Sequence, residues 1–349
     1  MSNKKLPKIG FGTFPLKGKE CEEAVYNAIK LGFRLIDSAQ AYQNEKCVGN
    51  AIKRCIKESI IKREDIIITT KLSHHNPIGY QNTVDAVDKS LKELQLDYID
   101  LFLIHWPNVT KADMWKHLNA KTWKAMEVLQ QFGKLKYIGV SNFATHHLEE
   151  LLKTAIVKPY INQLEISPMW YDRNTIDFCK KMGIYVEAYS PFCGGLIFEK
   201  PIVEYLAKKY EKTMGQIVLR WSIQKGFIPL PRTIFKSEME QNLKIFDFEL
   251  HKMDMETLDS LLSAPSCPEP DAMKFILEVE EKLQNIPIQE YKTIYLFGFL
   301  PLFKIDYINS KVYIFNTIPL LGIKALDDKY TAKLFLFGLI NVGKIKLKW

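Results

Sequence analysis

Eight short apolar runs, the first seven each followed by helical spacing, constrain this chain more than any other feature. The runs lie at residues 9–14, 35–37, 66–70, 99–104, 137–140, 161–165, 184–188 and 227–230. Residues 20–31, 47–56, 83–94, 115–132, 147–154, 175–182, 202–212 and 214–224 carry apolar side chains three or four positions apart, the period of an amphipathic helix. In the first of these, Ala24, Val25, Ala28 and Ile29 share one face. Short apolar strands alternating with longer helices imply an α/β fold with a parallel sheet. Eight such units in about 250 residues match a closed (β/α)8 TIM barrel, whose functional side chains stand at the C-terminal ends of the strands. Here those ends carry Asp37, Lys71, His105, Asn142, Gln163, Tyr189 and Arg232.

Composition narrows the classes further. With 47% hydrophobic and 25% charged residues, the chain is globular rather than disordered. Its formal charge of +8 is spread without a dense run of Lys and Arg, so no nucleic-acid partner is indicated. Six cysteines (Cys21, Cys47, Cys55, Cys179, Cys193, Cys267) form no CxxC pair, and free thiols in a reducing compartment are expected. The N-terminal residues lack an apolar signal core, and no apolar run approaches the roughly 20 residues of a membrane span. A soluble cytoplasmic protein is the expectation. His74-His75 and His146-His147 come without HExxH or Cys/His spacing, so no metal site is expected. Gly10-Phe-Gly12 lacks the third glycine of a dinucleotide fingerprint.

The strand-end residues suggest a reaction. A tyrosine titrates near pH ~10, too high for easy proton donation at neutrality. A lysine cation beside Tyr42 favours the phenolate and lowers that value. Asp37 would pair with Lys71 and fix it, and His105 would orient a carbonyl oxygen or assist the proton transfer. Such a site suits protonation of a carbonyl oxygen during reduction, with the hydride supplied by a cofactor. Tyr189 offers a face on which a nicotinamide ring can stack, and Ser141, Asn142 and Gln163 have the groups to bind its carboxamide. Alone, each residue has a bland reading: a helix cap for Asp37, packing for Tyr42, a core histidine for His105, a solvated charge for Lys71. Their joint occurrence at ordered strand ends favours chemistry.

The chain resembles the aldo-keto reductases. The family's recurring stretches stand here as Gly12-Thr13, Ile36-Asp-Ser-Ala-Gln-Ala-Tyr-Gln-Asn-Glu45, Thr70-Lys-Leu72, Leu103-Ile-His-Trp-Pro107, Gly139-Val-Ser-Asn-Phe143, Asn162-Gln163 and Ala188-Tyr-Ser-Pro191. The likeness runs from about Leu6 to about Leu262. It implies NAD(P)H-dependent reduction of an aldehyde or ketone, with Tyr42 as proton donor assisted by Lys71, Asp37 and His105. It implies cofactor contacts at Gly12, Thr13, Ser141, Asn142, Gln163, Tyr189, Ser190, Arg232, Thr233 and Asn242, and a substrate pocket at Phe14 and Trp106. Cys193-Gly-Gly195, after the seventh strand, reads as a loop that flexes over the cofactor or as a simple turn.

Three departures qualify the resemblance. Few residues precede Lys8-Ile-Gly10, so the hairpin that closes the family's barrel floor is expected to be shortened or missing. At the adenosine end, Arg232 replaces the usual lysine and Thr233 the usual serine, and both can hold a 2′-phosphate. Glu238 stands where an arginine commonly clamps that phosphate, and a carboxylate repels a dianion. NADPH is therefore the expected cofactor, Lys236 compensating, with NADH admitted because of Glu238. Finally, residues 266–349 extend past the barrel domain at 1–265. A helix is expected at 271–284, and residues 293–305 resemble residues 333–345. From Lys292 onward nine lysines face three aspartates. The tail is read first as lacking a fold of its own, then as a membrane or protein contact through 292–349, then as a pocket cover. The protein is expected to be a monomer acting on a small carbonyl compound. The rival function is a cofactor-binding regulatory or interaction subunit on the same barrel with little turnover.

Overall fold

The computed structural model describes residues 6–73, 79–107 and 115–263, together with six strands between 294 and 346. The chain divides into two compact units, Met1–Ala264 and Pro265–Trp349.

The first unit alternates strand and helix throughout. Its order is β1 (Phe11–Gly12), α1 (Gly18–Leu31), β2 (Leu35–Asp37), α2 (Glu45–Lys57), β3 (Ile67–Leu72), α3 (Tyr80–Leu94), β4 (Ile99–Ile104) and α4 (Trp115–Gln131). There follow β5 (Leu135–Ser141), α5 (Thr145–Leu152), β6 (Ile161–Glu165), α6 (Arg173–Met182), β7 (Tyr185–Tyr189), α7 (Pro201–Tyr210), α8 (Met214–Gln224), β8 (Ile228–Pro229), α9 (Lys236–Leu243) and α10 (Lys252–Asp259). Each strand pairs in parallel with the next, from β1 to β8. The ring is joined by backbone hydrogen bonds from the Gly10 and Gly12 amides to the Pro229 and Pro231 carbonyls, 3.0 Å each. This is the (β/α)8 barrel that the sequence pattern implies.

The elements differ from expectation mainly at their ends. β1 and β8 shrink to two residues each. Pro229 and Pro231 have no N–H to extend a ladder there. A Cβ on Gly12 would lie 3.0 Å from the Leu230 carbonyl, so the closure itself needs a glycine. α6 starts at Arg173 rather than 175 because Asp172 caps it, accepting from the Asn174 and Thr175 amides. Thr213 and Gln216 form a reciprocal capping box that starts α8. The short helices α9 and α10 have no counterpart in the expected pattern.

Because side chains alternate along a strand, each one serves two cores. Ile36, Ile68, Phe102, Ile104, Ile138, Val140, Val186 and Ala188 pack outward with the helices. Leu35, Ile67, Ile228 and Leu230 form one interior cluster, and Leu101, Leu103 and Ile161 another. Leu6 packs against both, and the Tyr137 and Tyr160 rings stack at 4.3 Å beside them. These residues fill the barrel floor, and among the described residues no hairpin precedes β1. One or two steps up the strands, the same face carries Asp37, Thr69, Lys71, Gln163 and Glu187, all buried.

The second unit contains β9 (Ile294–Leu296), β10 (Leu300–Asp306), β11 (Lys311–Ile314), β12 (Leu321–Ala325), β13 (Thr331–Leu336) and β14 (Ile340–Lys346). They form two antiparallel three-stranded sheets, in the orders β11-β10-β9 and β12-β13-β14. The two similar segments, 293–305 and 333–345, contain corresponding antiparallel pairs, β9 with β10 and β13 with β14. The helix expected at 271–284 lies outside the described residues, as does His74-His75.

Candidate active site

Three strand ends and one turn build the centre. β2 ends on Asp37, β3 carries Lys71 one residue before its end, and His105 follows β4 directly. Tyr42 ends a 3-10 turn, Gln40–Tyr42, that leaves β2. The Gln40 side chain ties this turn to α3, donating to the Ala86 carbonyl and the Ser90 hydroxyl at 2.8 Å each and accepting from the Ser73 amide. Asn44 holds the base of the turn through the Thr13 and Leu16 carbonyls and accepts from the Ser38 hydroxyl.

Lys71 has no exposed surface. Its Nζ donates to both Asp37 carboxylate oxygens at 2.7 and 2.8 Å, to the Ser38 carbonyl at 2.8 Å and to the Tyr42 hydroxyl at 3.4 Å. Burial alone would drive its ammonium to a lower pKa. The attraction of Asp37 and Tyr42 outweighs that, and Lys71 is held above its ordinary value. The site therefore keeps a cation beside the phenol. The His105 ring meets the Tyr42 ring edge-on, with centroids 5.6 Å apart, and Phe14 lies 5.0 Å from Tyr42 on its other side. Phe14 is exposed and Trp106 half-buried. The four residues expected to do the chemistry thus share one mouth, with Phe14 beside them.

Of the expected nicotinamide residues, Ser141 ends β5 and Asn142 follows it, Tyr189 ends β7, and Gln163, expected at a strand end, lies instead in the middle of β6. The Tyr189 hydroxyl donates to Asn142 Oδ1 at 2.8 Å, Asn142 Nδ2 donates to the His105 carbonyl at 3.0 Å, and the Ser141 hydroxyl donates to the Gln163 carbonyl at 2.9 Å. Asn142 and Ser190 have φ of +61° and +50°, the left-handed region that side chains other than glycine rarely adopt. Two such residues, each just beyond a strand, are the kind of backbone that persists where a site demands it. Gln163 Nε2 donates to Asp37 Oδ1 and to Glu187 Oε2, 2.8 Å each. Its amide oxygen takes no hydrogen bond among the described residues. An acceptor left open at a barrel mouth, beside a tyrosine and an asparagine, fits a nicotinamide carboxamide.

Elsewhere the arrangement differs from a simple contact set. The Thr13 hydroxyl donates to the Asp37 carbonyl at 2.9 Å, and Thr13 is fully buried. At the adenosine end, Thr233 is buried and its hydroxyl hydrogen-bonds to the Glu238 carboxylate. Glu238 lies in the first turn of α9, where the helix dipole favours an anion. Arg232 and Lys236 are exposed, and Asn242 is buried on α9. The loop at Cys193-Gly-Gly195 does follow β7. It is anchored by buried Cys193, whose thiol lies 2.8 Å from the Ser167 hydroxyl, and by buried Ile197.

Sequence reasoning missed Glu187, which is wholly buried beneath Gln163 and Asp37. Burial, and then the Asp37 charge, push its carboxyl up to about 8. The signal was present: Glu187 precedes Tyr189 by two residues, so both share the inner face of β7. Among the described residues, no cluster of His, Cys, Asp and Glu could hold a metal, and no helix is long and apolar enough to cross a membrane.

The same barrel recurs in known proteins. The model of the Aldo/keto reductase family matches residues 8–263. Glyoxal reductase of Bacillus subtilis is 42% identical over 272 residues, covering 77% of this chain and 94% of the relative. NAD(P)H-dependent D-xylose reductase I,II of Candida tropicalis is 34% identical, covering 74% and 90%. The crystal structure of a Bombyx mori aldo-keto reductase in complex with NADP superposes with a TM-score of 0.68 at 34% identity, covering 74% of this chain and 89% of that one. The fold and these relatives define a barrel oxidoreductase. The chain belongs to the aldo/keto reductase family and is an NAD(P)H-dependent enzyme.

Proposed function

We propose that the protein reduces small aldehydes or ketones to alcohols, with Tyr42 as proton donor and Lys71, Asp37 and His105 in support. The observation that carries this reading is the buried Lys71 ammonium, bound to Asp37 at 2.7 and 2.8 Å and 3.4 Å from the Tyr42 hydroxyl. Tyr189, Ser141, Asn142 and Gln163 would hold a reduced nicotinamide, which would supply the hydride. Tyr42 gives its phenolic proton to the carbonyl oxygen as negative charge gathers there. Lys71 then stabilises the phenolate left behind, and Asp37 keeps the ammonium in place. His105 orients the carbonyl oxygen, while Phe14 and Trp106 form an apolar wall for the rest of the substrate. Gly12, Thr13 and Ser190 shape the cofactor's bed through the backbone around them.

At the adenosine end, Arg232, Thr233, Lys236 and Asn242 take NADPH, and NADH is also used. The Glu238 carboxylate must release the Thr233 hydroxyl before a 2′-phosphate can claim it, which lowers the advantage of NADPH. The catalytic domain spans residues 1–265 and works as a soluble cytoplasmic monomer, with residues 266–349 as an extension outside the reaction.

The test is oxidation of NADPH and NADH, followed by absorbance, with glyoxal, aromatic and aliphatic aldehydes and two ketones. Turnover with at least one carbonyl class is expected. Tight cofactor binding with negligible turnover across the panel would instead favour the binding-subunit function.

A further inference from the structure

Among the buried groups that the proposed chemistry leaves unused, Glu187 stands apart. It has no exposed surface, its Oε2 accepts from Gln163 Nε2 at 2.8 Å, and its Oε1 has no partner among the described residues. Gln163 and Glu187 are register partners on β6 and β7, so the contact is built into the sheet. The second hydrogen of the same amide nitrogen goes to Asp37 Oδ1.

We propose that Glu187 is a positioning residue: it holds the Gln163 amide with its nitrogen facing into the barrel, so that its oxygen is presented to the carboxamide N–H of a bound nicotinamide. This rests on the reading of Gln163 as a cofactor residue. A side-chain amide is nearly symmetric in shape, and only its partners choose which end points where. Asp37 is a weak guide by itself, because both its oxygens already serve Lys71. Two carboxyl groups beside the amide decide the matter together. Turning Gln163 over would lose the bond to Asp37, set its oxygen against that carboxylate and require the Glu187 proton to move to Oε2.

The surroundings keep Glu187 from disturbing the lysine it sits near. Asp37 on β2, Lys71 on β3 and Gln163 on β6 are the charged and polar groups around it, while β8 contributes apolar Ile228 and Leu230 on the inner face. Burial and the Asp37 charge keep the carboxyl protonated at neutral pH, with its value up to about 8. A protonated Glu187 can still accept through Oε2 while its hydroxyl occupies Oε1. It therefore orients Gln163 without adding a second anion beside Lys71.

The experiment compares two cofactors, reduced NADP and its 3-acetylpyridine analogue, in which a methyl ketone replaces the carboxamide and removes the N–H donor. Affinities are read by quenching of protein fluorescence for the full-length wild type, Glu187→Leu and Glu187→Gln. The wild type is expected to prefer the carboxamide by about 10-fold, the worth of one hydrogen bond. Glu187→Leu should lose that preference while binding the analogue as before. Glu187→Gln, whose side-chain oxygen can accept the same bond, should retain it. If Glu187→Leu does not fold, Glu187→Asp, one methylene short, is expected to reduce the preference. An unchanged preference in the Leu or Asp variant would overturn the proposal, as would equal weakening of both cofactors, which marks a merely structural role. A wild type that binds both cofactors equally overturns it too but leaves the reductase reading standing. A wild type that binds neither overturns both.

Discussion

The barrel interior has two storeys built from the same strands. The lower holds Leu35, Ile67, Leu101, Leu103, Ile161, Ile228 and Leu230. The upper, two to four residues further along, holds Asp37, Lys71, Gln163 and Glu187, and Lys71 reaches the Tyr42 hydroxyl from it. Both are sealed from water, so burial does not distinguish them; the chemistry of their contacts does. In the lower storey contacts are non-directional, and volume is what matters. In the upper, each polar atom depends on a named partner, and removing one leaves a buried charge or donor unpaired. The apolar storey supports the fold, and under the proposed function the polar storey is the reagent.

The sharpest way to break this contrast is Lys71→Met. It strips the cation from Tyr42 and leaves Asp37 buried without its ion pair. Turnover should fall about a thousandfold, with stability lower by about 3–5 kcal/mol, measured by NADPH oxidation and urea melts. Leu103→Ala tests the other storey. This fully buried side chain should cost about 2–5 kcal/mol of stability, while turnover per folded molecule stays near wild type. A large kinetic loss there would erase the distinction between the storeys.

Glu187→Gln probes the upper storey through pH. The Glu187 carboxyl is raised from 4.5 to about 8 in the fold. Between those values the unfolded chain binds fewer protons than the native one. The stability that Glu187 contributes is therefore full below about pH 4.5 and is lost as pH climbs towards 8. Urea melts should show the variant gaining on the wild type between about pH 5 and about pH 8. A constant difference would mean that Glu187 is already ionised in the fold. The smallest expected effect is outside both storeys. Glu238→Arg should free the Thr233 hydroxyl and raise the NADPH-to-NADH ratio of kcat/KM about tenfold.

What could be read from the sequence follows the same division. Asp37, Lys71, His105, Asn142 and Tyr189 announce themselves because each stands at the end of an apolar run, where a polar residue breaks the pattern. Glu187 does not, because a charged residue inside a strand looks like its solvent face, and only the inward alternation set by Tyr189 shows otherwise. The Thr233–Glu238 hydrogen bond was equally hidden: the sequence shows a carboxylate where a cation was expected, but not that it would take the hydroxyl meant for phosphate. Strand lengths at β1 and β8 depended on glycine and proline at the closure, a contact between the two ends of the barrel that no local pattern records. The tail's strands were visible as apolar runs, but their pairing into two sheets was not.

The most direct test of the upper storey as reagent is Tyr42→Phe beside the wild type, with NADPH oxidation and NADPH affinity measured on the same preparations. Under the proposed function the phenol hydroxyl is the proton source and stands apart from the cofactor contacts. The account predicts turnover lower by about a hundredfold or more, with cofactor affinity nearly unchanged. Undiminished turnover in Tyr42→Phe would contradict it.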